Sequence, residues 1–357
     1  MDIVANCFSQ SWLFLLHLLF VSVKLRSSIK RNSIFETKEG IILMATMKAV
    51  VFDEFGDVDV FHEAEVEKPI LTKGSILIKQ AAIAMDPYDV KFRAGAFGVP
   101  AKENMIGGST IAGVVEAVAA DVTEFKVGER VVAVPHEHGY AGYAVVDADT
   151  AGHLPDSVSF EDAAALALGG QTGYQAVVDA LNLQEGESIL IHGGAGAVGY
   201  AALQTALYRG ASKIYTTSLP TDIDYLHELN EDIVAIDFTT QKFTDVIPES
   251  SVDTVVEIIG GNNALGSMQV LKDGGRIVST VPLGDDVKAA RDAKNIKGDY
   301  YVMQSTTEVL TKLMEHLGNG DYKVAVAEVK PFSLENLKEG HKIVEAQAVR
   351  GKVVLTF

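Results

Sequence analysis

Cysteine occurs once in this chain, at Cys7, so no disulfide can close within it and no structural zinc site built from several thiolates is available. A reducing compartment suits that count. Basic residues are also in deficit: 30 Lys and Arg stand against 48 Asp and Glu, a formal net charge of -18. Nucleic acid and anionic membrane surfaces would be repelled over a broad area, so neither is expected as a partner and a small-molecule enzyme is favoured. No internal repeat or low-complexity linker stands out. Long apolar runs are missing too, because Trp12 to Val23 falls short of the about 20 residues that cross a bilayer.

That run is followed, not preceded, by Lys24, Arg26, Lys30 and Arg31, the reverse of a secretory signal. Residues 1–46 are rich in Ile, Phe, Leu, Lys, Asn and Ser, as translated AT-rich spacer would be. Lys38-Glu39-Gly40 can be encoded by a purine-rich ribosome-binding sequence, with Met44 and Met47 at start distances beyond it. The segment is therefore expected to be an upstream-start extension outside any domain, with a membrane anchor as the alternative. The protein proper is expected to be cytoplasmic.

What is present is an ordinary soluble composition: 357 residues, 48% hydrophobic and 22% charged, with room for about two domains and a large core. Its most informative stretch is Ile191-His192-Gly193-Gly194-Ala195-Gly196-Ala197-Val198-Gly199. Gly194, Gly196 and Gly199 have the G-x-G-x-x-G spacing that holds a dinucleotide pyrophosphate. The first glycine makes the tight turn, the second lets backbone approach the phosphates, and the third lets helix pack on strand. Ser188-Ile189-Leu190-Ile191 predicts the strand before it, and Ala197 to Arg209 the helix after it, closed by Gly210. Backbone NH groups at that helix start would face the anion.

From Met47 to Val146 short apolar or alternating runs between Gly, Pro and Asp turns predict a compact β domain, with strands over Ser75 to Ile83, Ile111 to Val118, Arg130 to Val134 and Tyr140 to Val146. Ser159-Phe160-Glu161-Asp162 resembles a capping box leading a helix over Ala163 to Leu168, and a second helix is predicted over Thr172 to Leu181. Strands then alternate with helices: Ser188 to His192, Lys213 to Thr217, Ile233 to Asp237, Thr254 to Ile258 and Arg276 to Thr280. This is the pattern of a doubly wound parallel sheet, whose ligands sit at the carboxyl ends of the strands. Those ends are Gly193 to Gly199, Thr217 with Ser218, Ile259 to Gly261, and Val281 to Leu283. Helices over Thr306 to Leu317 and Leu334 to Ala346 and a strand from Lys352 to Phe357 close the chain, and are expected to return to the first domain.

Taken together, Ala84-Met85-Asp86-Pro87-Tyr88-Asp89 with Arg93, Ile111-Ala112-Gly113-Val114-Val115, Val127-Gly128-Glu129-Arg130-Val131, Gly139-Tyr140-Ala141-Gly142-Tyr143-Ala144, Gly170-Gln171-Thr172-Gly173-Tyr174, Lys272-Asp273-Gly274-Gly275-Arg276 and Gly351-Lys352-Val353-Val354-Leu355 resemble the zinc-independent medium-chain dehydrogenase/reductases of the quinone oxidoreductase family. The resemblance spans Met47 to Phe357. It implies an α/β fold: a GroES-like β domain of residues 47–168 and 303–357, with an inserted Rossmann-type doubly wound parallel-sheet domain of residues 169–302 and an active-site cleft between them. Zinc-dependent relatives carry a cysteine where Asp86 stands, a His-Glu pair where Ser109-Thr110 stands, and a four-cysteine lobe. None of these is here, so no metal site is expected. His136-Glu137-His138 has no third ligand nearby and is assigned to a surface loop.

The resemblance implies hydride transfer from a nicotinamide to a quinone or to the β-carbon of an activated enone, with negative charge developing on the acceptor oxygen. The candidate catalytic residues are Asp86, Tyr88, Lys91, Arg93 and Thr172. Lys91 is the first choice for oxyanion support and Tyr88 the second. The family commonly has Asn at Asp86, and a carboxylate there would oppose an anionic transition state unless paired with Lys91 or Arg93. Arg93 has a structural salt bridge as its alternative role, Thr172 a helix cap, and His192 is assigned as a packed or backbone-bonded histidine. The candidate cofactor-binding residues are Gly194, Gly196, Ala197, Val198, Gly199, Thr217, Ser218, Ile259, Gly260, Val281 and Leu283. The second sheet strand ends Thr216-Thr217-Ser218 without the acid that would bond the ribose hydroxyls of NADH, which favours NADPH. Against that, no Arg or Lys follows promptly, and Asp222 and Asp224 lie close. The alternatives are an enoyl or alkenal reductase acting on lipid-derived aldehydes and a non-catalytic NADPH-binding sensor. A homodimer is expected, with Tyr300-Tyr301-Val302-Met303 as a candidate edge strand.

Overall fold

The computed structural model describes residues 45–357, together with the backbone of a short antiparallel hairpin, β1 (Ile34–Thr37) and β2 (Gly40–Leu43). The apolar run Trp12 to Val23 and its basic tail lie outside the described residues. The chain divides into a small unit, residues 1–47 with 65–68, and a large one, residues 48–64 with 69–357. No helix among the described residues is long and apolar enough to cross a membrane.

After β3 (Thr46–Val51) and β4 (His62–Glu67) come β5 (Ser75–Ala84), the short helix α1 (Pro87–Arg93), β6 (Thr110–Val118), β7 (Arg130–Ala133), β8 (Tyr143–Asp147), β9 (Ala151–His153) and the long helix α2 (Phe160–Gln175). Strand and helix then alternate through β10 (Ser188–Ile191), α3 (Ala197–Tyr208), β11 (Lys213–Ser218), α4 (Ile223–His227), β12 (Val234–Asp237), α5 (Phe243–Val246), β13 (Val252–Glu257), α6 (Gly261–Val270), β14 (Leu271–Ser279) and α7 (Asp285–Ala293). The chain ends with α8 (Thr307–Asn319), β15 (Val326–Pro331), α9 (Leu334–Glu345) and β16 (Lys352–Thr356).

The alternating half forms a five-stranded sheet in the order β12-β11-β10-β13-β14, parallel throughout. Its strands are buried on both faces, as a two-residue period shows. Ile189 and Ile191 of β10 pack with Ala202 and Leu203 of α3, whereas Leu190 between them packs with Ala264 and Met268 of α6. Strand order reverses between β10 and β13, so the helices that follow these two strands leave on opposite faces and a crevice opens at their carboxyl ends.

The other sheet has seven strands, with β15-β16-β5-β6-β7-β9 in line and β8 also pairing β5. It alternates in the same way. Ile111, Val131 and Ala133 face a core with Ile76, Ile78, Phe125 and Val146, while Ala112 and Val132 face α2 and α8 through Ala163, Ala164, Leu310 and Leu313. The expected return of the carboxyl terminus is observed: β16 runs antiparallel to β5, with Val354 opposite Ala84.

Two local expectations are corrected. The separate helices predicted over Ala163 to Leu168 and Thr172 to Leu181 are one helix, α2, capped by Ser159, whose side chain accepts from Asp162 N, and continued by a wider turn over Ala176–Ala180. The expected domain boundary between Leu168 and Gly169 thus falls inside α2. Gly169 and Gly173 do not break the helix because they are its contact with α3. A Cβ at Gly169 would lie 2.7 Å from the Cβ of Ala197, and one at Gly173 would lie 2.5 Å from Val198 O and 2.7 Å from Ala202 N. Each interior glycine costs a helix about 0.5–1 kcal/mol, and close helix packing offsets it. Secondly, Tyr300 to Met303 is not a strand. Tyr300 makes an isolated bridge to Ser279 of β14, Tyr300 and Val302 are exposed, and Met303 is buried in the core on the seven-stranded sheet.

This packing makes a test. Gly173→Ala should lower the unfolding free energy by about 1–3 kcal/mol, since helix α3 has to be pushed away. Gly142→Ala, where no atom lies within 4 Å of the added Cβ, is the control. Urea denaturation compares them, and equal midpoints would show that the helices can part freely.

Candidate active site

The dinucleotide motif has the predicted form, and each glycine has a steric cause. A Cβ at Gly194 would lie 2.2 Å from Thr216 Oγ1 on β11, and one at Gly199 would lie 2.2 Å from Gly193 O. Gly193 itself has φ +62°. Gly196 is the N-cap of α3, with extended backbone and no side chain that caps the helix. It is exposed together with Ala197, Val198 is half-buried, and no acid stands in the first turn. The orphan NH groups and the positive end of the helix dipole are therefore left open to an anion.

The other strand ends divide into lining and scaffold. Thr217 Oγ1 accepts from Gly193 N at 3.0 Å, which uses the hydroxyl to brace the loop. Ser218 Oγ is buried without a partner. Ile259 is 60% exposed, and Gly260, at φ +86°, packs under Val281. Leu283 is a correction: it is buried in the sheet core with Val287 and Ala264, so it lies too deep to line a cofactor groove.

Beneath the crossover lies a polar network that the motif did not reveal. Glu257, fully buried at the end of β13, accepts from Ile259 N at 2.7 Å and Gly260 N at 3.0 Å through Oε1, and from Asn263 Nδ2 at 3.0 Å through Oε2. The carboxylate thereby shapes the loop that borders the crevice. The available signal was an acid, Glu257, directly after the apolar pair Val255-Val256 at a strand end. His192 is a packed histidine as expected, though its partners are side chains: Ser267 Oγ at 2.9 Å and Thr217 Oγ1 at 3.3 Å. Burial holds its pKa below the usual value.

A second cluster forms where β5 turns into α1. Asp86 is the helix N-cap, and its NH donates to Asp89 Oδ2 at 2.7 Å, fixing the turn from the far side. Asp86 Oδ2 accepts from Thr110 Oγ1 at 3.0 Å, and Ser109 Oγ donates to Asp89 Oδ2 at 3.2 Å. All four residues are buried. The expected cationic partners of Asp86 were Lys91 or Arg93, and the structure supplies neither. Lys352, 266 positions further on, donates to Asp86 Oδ1, because β16 starts alongside the end of β5. Burial, and then the charge of Asp86, push the Asp89 carboxyl up to about 7.

The remaining candidates are dispersed around this cluster. Lys91 is exposed on α1, with no carboxylate within ion-pair distance among the described residues. Arg93 has the structural role: Nε donates to Gly56 O at 3.1 Å and Nη2 to Glu345 Oε2 at 3.0 Å, and the side chain is buried. Tyr88 is half-buried, its ring stacked 4.7 Å from that of Phe97 and 5.2 Å from that of His136. Burial and the charges of Glu137 and Asp89 raise its pKa. Thr172 lies mid-helix, not at a cap, and its hydroxyl donates to Leu168 O at 2.8 Å. The His136-Glu137-His138 stretch is a loop as expected, but His136 is half-buried against the Asp86 cluster rather than on the open surface.

A cation also reaches the end of β11, where none follows in sequence. Arg350 Nη1 donates to Asp222 Oδ1 at 3.0 Å, 128 positions away, and its guanidinium lies 4.3 Å over the ring of Tyr225. Tyr225 in turn stacks on Tyr200 of α3 at 4.6 Å. Only the fold brings Arg350 here.

Comparison with known proteins agrees with this architecture. Residues 72–183 match the alcohol dehydrogenase GroES-like domain, and residues 230–355 match the family described as zinc-binding dehydrogenase. The chain is 32% identical to 2-methylene-furan-3-one reductase of Solanum lycopersicum over 90% of its length and 81% of that protein. It is 30% identical to the chloroplastic NADPH-dependent alkenal/one oxidoreductase of Arabidopsis thaliana, covering 87% of this chain and 79% of that one. Among solved structures, the quinone oxidoreductase of Coxiella burnetii superposes with a TM-score of 0.78 at 28% identity, covering 88% of this chain and all of that one, 100%.

Lys352→Met should cost about 3–5 kcal/mol of stability, because it strands the buried Asp86 carboxylate. Adding Asp86→Asn should recover most of the loss. Denaturant titration of the single and double variants checks this, and additive losses would show that the two groups do not depend on each other.

Proposed function

The chain belongs to the medium-chain dehydrogenase/reductase family, in its quinone-oxidoreductase-like branch, and from that premise we propose that this oxidoreductase uses NADPH to reduce quinones or activated enones without zinc. The observation that carries the proposal is the uncapped first turn of α3 behind Gly194 and Gly196, next to a strand, β11, whose last residues Thr216-Thr217-Ser218 include no acid and beyond which Arg350 pairs with Asp222. Gly194, Gly196, Ala197, Val198 and Gly199 would hold the pyrophosphate, with Ile259, Gly260 and Val281 bordering the groove. Ser218 and Arg350 would hold the 2′-phosphate, which Arg350 reaches by leaving Asp222.

A bound reduced nicotinamide supplies the hydride; the chain supplies position, charge and exclusion of water. Tyr88 and Phe97 offer a flat aromatic wall to a conjugated acceptor. Lys91, exposed and with no ion-pair partner among the described residues, would swing toward an acceptor oxygen, with Thr172 on the α2 side. Lys352 neutralises Asp86, so the carboxylate that replaces the family's Asn does not oppose an anionic transition state. The residues present do not suit zinc. Asp86 already holds an ammonium group, and no set of three His, Cys, Asp or Glu converges among the described residues. Exposed Tyr300 and Val302, beside the edge strand β14, are the surface proposed for a homodimer.

Steady-state kinetics with both reduced cofactors, against a panel of quinones, 2-alkenals and other enones, tests the proposal. NADPH should be preferred over NADH in kcat/KM, and Arg350→Gln should erase about ten- to hundredfold of that preference, the value of a charge-assisted hydrogen bond. Asp222→Asn, which frees Arg350, should increase it. A preference for NADH, or cofactor binding with no acceptor reduced, would overturn the proposal.

A further inference from the structure

We infer that His136 is a catalytic residue whose Nε2–H donates a hydrogen bond to the acceptor oxygen on which negative charge develops. The inference rests on the proposed reduction and gives a chemical role to a histidine that the sequence pattern assigned to a surface loop.

The backbone is the first observation. His136 sits in the loop between β7 and β8 at φ +66°, and His138 two residues later at φ +69°. Residues other than glycine rarely occupy this region, and such strain persists only where the surroundings enforce it. Here the enforcement is visible, since His136 N donates to Ser109 O at 3.3 Å and His138 N to Ile106 O at 2.9 Å. The loop is thereby tied to the segment that carries Ser109 and Thr110, and the imidazole is held against Tyr88 with an interplanar angle of 49°.

The ring nitrogens are the second observation. Nδ1 is buried and has no hydrogen-bond partner among the described residues, whereas Nε2 is not one of the buried unpartnered atoms. A buried N–H without an acceptor is the rarer and costlier orphan, so the proton belongs on Nε2 and the lone pair on Nδ1. The proposal sets that N–H toward an acceptor lying beside Tyr88, whose ring centroid is 5.2 Å from that of the imidazole. Burial holds the ring below the usual histidine pKa against the opposing pull of Asp86 and Glu137, which keeps it a neutral donor at neutral pH. Among the described residues no hydrogen bond from the His136 ring to another side chain competes for that N–H.

The step balances without the histidine losing its proton. The hydride brings two electrons to the acceptor carbon, the acceptor's π pair moves onto oxygen, and that oxygen takes its proton from water. His136 lowers the energy of the oxygen anion by its hydrogen bond alone. An enone, less electron-poor than a quinone, needs that help more.

His136→Gly is the removing variant, because glycine accepts φ +66° freely and the loop should fold unchanged. His136→Gln restores an N–H donor. With a 2-alkenal, kcat should fall about 10²-fold in the glycine variant while KM for NADPH stays put; the fall should be smaller with 1,4-naphthoquinone and largely reversed by glutamine. A readout without turnover is the pKa of 4-nitrophenol bound to the NADP⁺ complex, followed by absorbance. It should be lower in the wild type than in the glycine variant by about one unit, the effect of one hydrogen bond to a charged oxygen. Equal kcat, or an equal bound pKa, in wild type and glycine variant overturns the role of His136. A wild-type chain that reduces no acceptor, yet shifts the phenol only when His136 is present, overturns the reductase proposal and keeps the donor.

Discussion

The pairing of β16 with β5 is the constraint on which both halves of the site depend. It starts β16 beside the residue that caps α1, so Lys352 meets Asp86 inside the protein. Two residues earlier Arg350 points the other way, onto Asp222 and Tyr225 of the nucleotide-binding sheet. Gly351 between them has φ +101°, and a Cβ there would lie 2.7 Å from Ala325 O, so this reversal of direction needs glycine. Three consecutive residues thus link the cluster at Asp86 to the end of β11.

Electrostatics explains why that link has to exist. Asp86 and Asp89 are neighbouring buried acids, and the Lys352 ammonium bonds the first of them. Asp89, with one oxygen unpartnered among the described residues, has its pKa raised by burial and then by the charge of Asp86. Buried charge of this kind adds little net stability, but losing one partner is costly, so the pair holds the β5–α1 turn in a single arrangement. Glu257 plays a comparable part under the crossover by collecting NH groups that would otherwise be orphaned.

Helix α2 joins the two sheets mechanically. Its first half packs on the seven-stranded sheet through Ala163, Ala164 and Ala167, and its second half lies on α3 through Gly169 and Gly173. Because α3 begins at the dinucleotide crossover, this close contact sets where the open helix terminus stands relative to α1 and its acids. Small residues make the contact rigid by letting backbone meet backbone.

The sequence by itself determined whatever depends on local pattern. The strand–glycine–helix unit at Ile191 to Gly199, the five parallel strands, the cap at Ser159 and the lack of an acid after β11 follow from periodicity, turn chemistry and spacing within a few residues. So did the return of the last strand, through the family resemblance. The tertiary structure alone decided the partners. It joined Asp86 to Lys352, Asp222 to Arg350 and Arg93 to Glu345, buried Leu283, fused two predicted helices into α2, and set His136 beside Tyr88. Each of these is a long-range choice made by strand pairing or helix packing, and a local pattern records how a segment folds but not which distant charge or ring will be brought against it.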